Sequence, residues 1–111
     1  MLAGGGGDDF LRTDQGNSTL FGDEGNDTLL TDSGDDSLSG GTGADLVRGW
    51  TGDDTLDGGQ GSDSDKVIGD EGNDLMRGGA GGDQMYGGAG NDTLYSDGSG
   101  TACTAAAATT C

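Results

Sequence analysis

Histidine and proline are absent from this chain of 111 residues, lysine and arginine together number 4, and aromatic residues make up 5%. Without histidine there is no His-ligated zinc, no Ser-His-Asp triad and no Cys-His pair. Four cationic side chains against 21 Asp and Glu leave a formal net charge of −17. Such a balance argues against nucleic acid and anionic membrane surfaces, which call for clustered Lys and Arg. No apolar run reaches about 18 residues, so no bilayer span is expected. The opening Met-Leu-Ala followed by four glycines has neither the basic nor the apolar segment of a cleaved signal peptide, and none is expected. Apolar residues make up 29%. By composition alone the chain sits close to disorder.

The order of the residues points the other way. The chain repeats every nine residues. Ten units start at residues 4, 13, 22, 31, 40, 49, 58, 69, 78 and 87, and the seventh carries two extra residues. Column four is always Gly. Column six is Asp at 9, 27, 36, 45, 54, 74, 83 and 92, and Ser18 is its exception. In the seventh unit either Asp63 or Asp65 could fill that column. Column eight is Leu11, Leu20, Leu29, Leu38, Val47, Leu56, Val67, Met76, Met85 and Leu94.

Each column has a physical reading. The Gly-rich columns one to four permit positive φ and close backbone approach, hence a tight turn. Columns seven to nine form one short stretch of strand alternation, with column eight pointing inward. Three-residue strands cannot stand alone, but stacked in parallel they form two facing sheets. One coil is then two units of nine, and five coils make a stack of about 24 Å. Ten small apolar side chains are a thin core for so much ordered backbone. Stacking also sets column-six carboxylates above one another, roughly 5 Å apart, where like charges repel. A hard divalent cation between them relieves that repulsion. Carboxylates and carbonyls are the ligands of Ca²⁺; Mg²⁺ fits less well, and zinc and copper lack suitable donors in the repeat. Units stacked two apart leave at most eight intervals, and eight Ca²⁺ would almost cancel the net charge of −17. One interval faces Ser18 with Asp36 and is expected to be weak.

These residues resemble the repeat-in-toxin (RTX) family, whose nonapeptide reads Gly-Gly-x-Gly-x-Asp-x-U-x. The match runs from residue 4 to residue 95. The resemblance implies an all-β fold, a parallel β-roll: a two-sheet right-handed solenoid with Ca²⁺ between successive turns on each side. It implies carboxylate ligands at Asp9, Asp27, Asp36, Asp45, Asp54, Asp63, Asp74, Asp83 and Asp92, and turn carbonyls at Gly25, Gly43, Gly52, Gly72, Gly81 and Gly90. It further implies a secreted, extracellular module of a larger exported protein, with a parent enzyme or toxin domain as partner and no catalytic residues of its own.

Departures from the pattern generate further expectations. Trp50 at column two strains the turn over 49–54. The insertion after Asp63 is expected to bulge a strand. Residues 1–3 are expected to be disordered. Residues 96–111 are expected to be a non-repeat C-terminal tail, of which 100–111 break the period completely and are expected outside the fold and mobile, with Cys103 and Cys111 as dangling thiols. An EF-hand reading of Asp53–Asp57 fails, because Ser64 stands where the bidentate Glu belongs. Glycosylation signals at Asn17, Asn26 and Asn91 are by-products of the turn. The alternative function is recognition, as a polysaccharide-binding repeat or an adhesin or ice-binding segment. Column seven (Phe10, Thr19, Thr28, Ser37, Leu46, Thr55, Leu75, Gln84 and Thr93 in the regular units) is too irregular for a flat ice template. Trp50, Tyr86 and Tyr95 are the candidate sugar-stacking side chains.

Overall fold

Nine-residue periodicity becomes a two-sheet solenoid in the computed structural model, which describes residues 1–97 and 100–104. One sheet stacks β1 (Leu2–Gly6), β3 (Thr19–Glu24), β5 (Ser37–Thr42), β7 (Thr55–Gln60), β9 (Leu75–Arg77) and β11 (Thr93–Tyr95) in that order. The other stacks β2 (Phe10–Arg12), β4 (Thr28–Leu30), β6 (Leu46–Thr51), β8 (Lys66–Glu71), β10 (Gln84–Ala89) and β12 (Ala102–Thr104). Every pairing is parallel and joins equivalent columns, as in Leu20 with Leu38 and Leu38 with Leu56. The molecule is 12 Å through its thinnest dimension, close to the roughly 10 Å spacing of two facing sheets. Among the described residues no helix is long and apolar enough to cross a membrane.

Inward positions follow the strict alternation of a β-strand. Columns six, eight and one point inside; columns seven and nine point out. Column eight forms the apolar core, from Leu11 to Leu94, and nine of its ten side chains are at most 2% exposed. The strands are longer than the three residues expected. In β3, β5, β6, β7, β8 and β10 they run on through columns one to three of the next unit. The turn is thereby compressed into columns four to six.

The glycine columns have separate roles. Columns two and four take left-handed φ, as at Gly41 (φ 110°) and Gly43 (φ 123°), where glycine is the least strained residue. Column one does not. There glycine leaves room: a Cβ on Gly78 would sit 2.6 Å from Asp83 Oδ2, and one on Gly58 would sit 2.7 Å from Asp65 Oδ2. Trp50 does not disrupt its turn. It accepts φ 72° at column two, as Asp23 and Asp70 accept 78° and 75°.

Four expectations are corrected. The insertion bulges no strand. β6 and β8 stay in register from Leu46–Lys66 to Thr51–Glu71, and the two extra residues are taken up in the turn over 61–65. Leu2 and Ala3 are ordered in β1, because they pair with Leu20 and Phe21. Residues 96, 97 and 100–104 are not outside the fold but belong to an eleventh, degenerate unit. In it β12 pairs with β10, and Cys103 packs beside the core opposite Met85. Cys103 is no dangling thiol either; it is disulfide-bonded. The expectation for residues 105–111, including Cys111, falls outside the described residues.

Leu56 is fully buried at the centre of the stack, whereas Leu75 is 39% exposed. Leu56→Ala is expected to cost about 2–5 kcal/mol by cavity formation, and Leu75→Ala less than about 1 kcal/mol. Denaturant unfolding of the two variants in excess Ca²⁺ measures the difference.

Candidate metal centres

Because column six points inward at the end of each turn, its aspartates line up in two rows, one along each narrow side of the solenoid. One row is Asp9, Asp27, Asp45, Asp65 and Asp83; the other is Ser18, Asp36, Asp54, Asp74 and Asp92. From Asp27 onward the carboxylates are 5% exposed or less. Each accepts, through Oδ1, the backbone N–H of the column-six residue one coil earlier. Asp27 N–H donates to Asp45 (2.8 Å), Asp36 N–H to Asp54 (2.9 Å), Asp54 N–H to Asp74 (2.9 Å) and Asp74 N–H to Asp92 (3.0 Å). Ser18 N–H donates to Asp36 in the same way. At the far end of the first row Thr101 Oγ1 takes the carboxylate's place, 3.4 Å from Asp83 N.

The second carboxylate oxygen has no such partner. Oδ2 of Asp9, Asp27, Asp36, Asp45, Asp54, Asp74, Asp83 and Asp92 is buried with no hydrogen bond. Leaving a buried anionic oxygen unpaired is costly. Several of these atoms also face another electron-rich oxygen. The space where a Cβ of Gly22 would lie is bracketed by Asp27 Oδ2 and the Gly40 carbonyl; at Gly40 it is Asp45 Oδ2 and the Gly58 carbonyl. Oxygen facing oxygen with no donor between them calls for a cation. Among the described residues no three Asp, Glu or Cys side chains converge on one point. A cation here therefore depends on backbone carbonyls as well, which suits a hard oxygen-seeking ion.

The expected ligand positions sort as follows. Asp9, Asp27, Asp36, Asp45, Asp54, Asp74, Asp83 and Asp92 all occupy the two rows. Asp63 does not: it is exposed, and Asp65 takes the column-six place, accepting the N–H of Asp45 (2.9 Å) and donating its own to Asp83 (3.0 Å). The reason is spacing, since only Asp65 lies two residues before the core Val67, as every other column-six residue does from its column eight. Among the expected carbonyls, those of Gly25, Gly52 and Gly72 point at the column-four glycine of the following coil, so closely that a Cβ there would collide. Among the described residues those of Gly43, Gly81 and Gly90 meet no such glycine. Above Gly43 the insertion intervenes, and the carbonyl beneath Gly81 is that of Asp63.

One feature escaped the sequence reading. Column five forms its own ladder, running in the opposite direction. Asp8 Oδ1 accepts the N–H of Asn26, Asn26 that of Ala44, Asn17 that of Asp35, Asp35 that of Asp53, Asp53 that of Asn73 and Asn73 that of Asn91. The signal was the recurrence of Asn or Asp at 8, 17, 26, 35, 53, 73 and 91.

Burial raises the pKa values of the central carboxylates, most of all at Asp74, which is pushed up to about 7, and at Asp54 and Asp65, each pushed up to about 6. Neighbouring carboxylates add to the rise, and the backbone N–H donors oppose it. Asp45 moves in the same direction for the same reason. A folded pKa above the unfolded value means that the folded state binds protons more tightly. The destabilisation is then complete above the folded pKa and relieved as pH falls toward about 4. Metal-free protein is therefore expected to gain β-structure as pH is lowered from 8 to 4.5 in EGTA. Far-ultraviolet circular dichroism follows it; a flat signal contradicts the charge argument.

The model of the RTX calcium-binding nonapeptide repeat matches residues 3–38, 30–65 and 61–94. No curated protein and no solved structure gives a significant match. The family match spans most of the sequence and agrees with the parallel coils, the inward aspartates and the glycine columns: this chain belongs to the RTX calcium-binding nonapeptide repeat family.

Proposed function

We propose that this chain is a calcium-folded structural module rather than a catalyst, disordered at low Ca²⁺ and assembling its solenoid when Ca²⁺ reaches the extracellular range of about 10⁻⁴–10⁻³ M. The observation that carries the reading is the set of eight buried Oδ2 atoms without a hydrogen-bond partner. A cation supplies what each lacks, and its binding free energy becomes folding free energy. The residues that would hold the ions are Asp9, Asp27, Asp36, Asp45, Asp54, Asp65, Asp74, Asp83 and Asp92, with turn carbonyls of the adjoining coils. Bound Ca²⁺ supplies charge neutralisation and coil-to-coil cross-linking. Adjacent sites share ligands, so filling is cooperative along the stack. Family membership supports secretion as part of a larger exported protein: a chain unfolded without Ca²⁺ passes an export channel readily and folds outside.

Circular dichroism in EGTA is expected to show coil, with a steep gain of β signal as Ca²⁺ is added. An unchanged spectrum at pH 7.5 would count against the proposal. Ligand sharing makes a finer test. Asp54 has row neighbours on both sides, Asp36 and Asp74, whereas Asp92 is the last aspartate of its row. Asp54→Ala is expected to raise the Ca²⁺ midpoint more than Asp92→Ala. Equal midpoints contradict shared sites.

A further inference from the structure

The repeat fails in one place in a way that opens a cavity. Units two and four carry Thr13-Asp14 and Thr31-Asp32 at columns one and two, where the other units carry glycine at column one. Neither Asp14 nor Asp32 adopts the left-handed φ taken at column two by Trp50 and Asp70. The sheet breaks accordingly. β2 and β4 stop after three residues, while β6, β8 and β10 in the same sheet run for six. The gap is a cavity of about 250 Å³ lined by Arg12, Leu30, Thr31, Asp32 and Trp50.

Trp50 is the large side chain that the strain serves. It is the single Trp of the chain and holds φ 72°, a conformation costly for any residue with a Cβ. Its ring is fixed from one side. The Arg48 guanidinium lies 3.6 Å from the ring centroid and is itself held by Asp70 through Nε (2.6 Å) and Nη2 (3.2 Å). The indole lines the cavity and Arg48 does not, so the guanidinium does not fill it. At 41% exposure the indole is open to solvent rather than spent in the core.

We infer that this cavity binds one neutral pyranose residue of a glycan, stacked on Trp50, with Arg12 and Asp32 meeting its hydroxyls; the Thr31 hydroxyl is buried and already donates to the Gly49 carbonyl, so Thr31 only shapes the floor. The reasons are chemical. A flat, rigid aromatic surface suits a ligand with an apolar C–H face. Arg12 is the one cation lining the cavity and Asp32 stands with it, so no surplus positive charge is left for an anion. Arg12 further shares its charge with Asp14, to which its Nε donates at 3.0 Å. Both an acceptor and a donor group are present for the edge of a polyol. The volume suits one sugar ring rather than a peptide or nucleotide.

The site is also assembled across coils. Arg12 comes from the first coil, Leu30, Thr31 and Asp32 from the second, and Trp50 from the third. These residues meet only when the coils stack. Binding is therefore calcium-dependent, and this dependence rests on the folding role proposed above.

Trp50 is its own reporter. The calcium-loaded protein is first shown to be folded by circular dichroism, which separates failure of the folding proposal from failure of this one. It is then titrated with cellohexaose, maltohexaose, xylohexaose and mannohexaose, and with oligogalacturonate as the acidic control, following indole fluorescence and calorimetric heat. Saturable binding of at least one neutral oligosaccharide in Ca²⁺, and none in EGTA, is expected. Trp50→Gly suits the left-handed backbone and so keeps the fold. It is expected to weaken binding by about tenfold or more, by calorimetry, with the Ca²⁺ response of the dichroism retained. No response to any neutral sugar from folded protein, binding of oligogalacturonate alone, equal binding in EGTA, or full affinity in Trp50→Gly each overturns the inference.

Discussion

The structure depends on carboxylates stacked above one another inside a closed turn. Alternation along the strand sends columns six, eight and one inward together, so the core is part apolar and part anionic. The apolar part, one Leu, Val or Met per unit, sets the register. The anionic part is not satisfied by the protein alone: from Asp27 onward Oδ1 of each row aspartate accepts a backbone N–H, while Oδ2 of eight row aspartates is buried without a donor. The fold thus leaves one oxygen of most of these carboxylates without a donor, and the chemistry of that oxygen points to calcium.

Glycine adapts the backbone to this requirement in two distinct ways. At columns two and four it provides left-handed geometry; at column one it provides emptiness beside the carboxylate. The second unit illustrates the coupling. There column six is Ser18 and column one is Thr13, so the glycine is missing where the carboxylate is missing. The fourth unit keeps Asp36 but has Thr31 at column one, and there the strand ends at Leu30 instead of running through.

Much of this was legible in the sequence. A fixed nine-residue phase with Asp at column six and an aliphatic residue at column eight determines inward faces, parallel stacking and an eighteen-residue coil. Other features were hidden for physical reasons. Asp65 was indistinguishable from Asp63 until spacing from Val67, rather than from Gly61, was seen to decide the register. The column-one glycines were assigned to turn geometry because their true constraint, the Oδ2 of the same unit, is a contact and not a dihedral preference. The eleventh unit was missed because Thr101 and Cys103 replace Asp and Leu, yet a hydroxyl can accept the Asp83 N–H and a cysteine side chain can pack against the core. Leu2 and Ala3 looked unstructured because their order comes wholly from pairing with β3.

The two extra residues of the seventh unit carry a broader lesson. They leave both flanking strands in register and are confined to the narrow side of the solenoid, over residues 61–65. The sheets thus set the architecture, while this one turn admits two extra residues, keeping Asp65 in its row but losing the close approach of the Gly43 carbonyl to a column-four glycine. A segment grafted at that edge would hang from an unbroken scaffold, because the strands on either side keep their register across it.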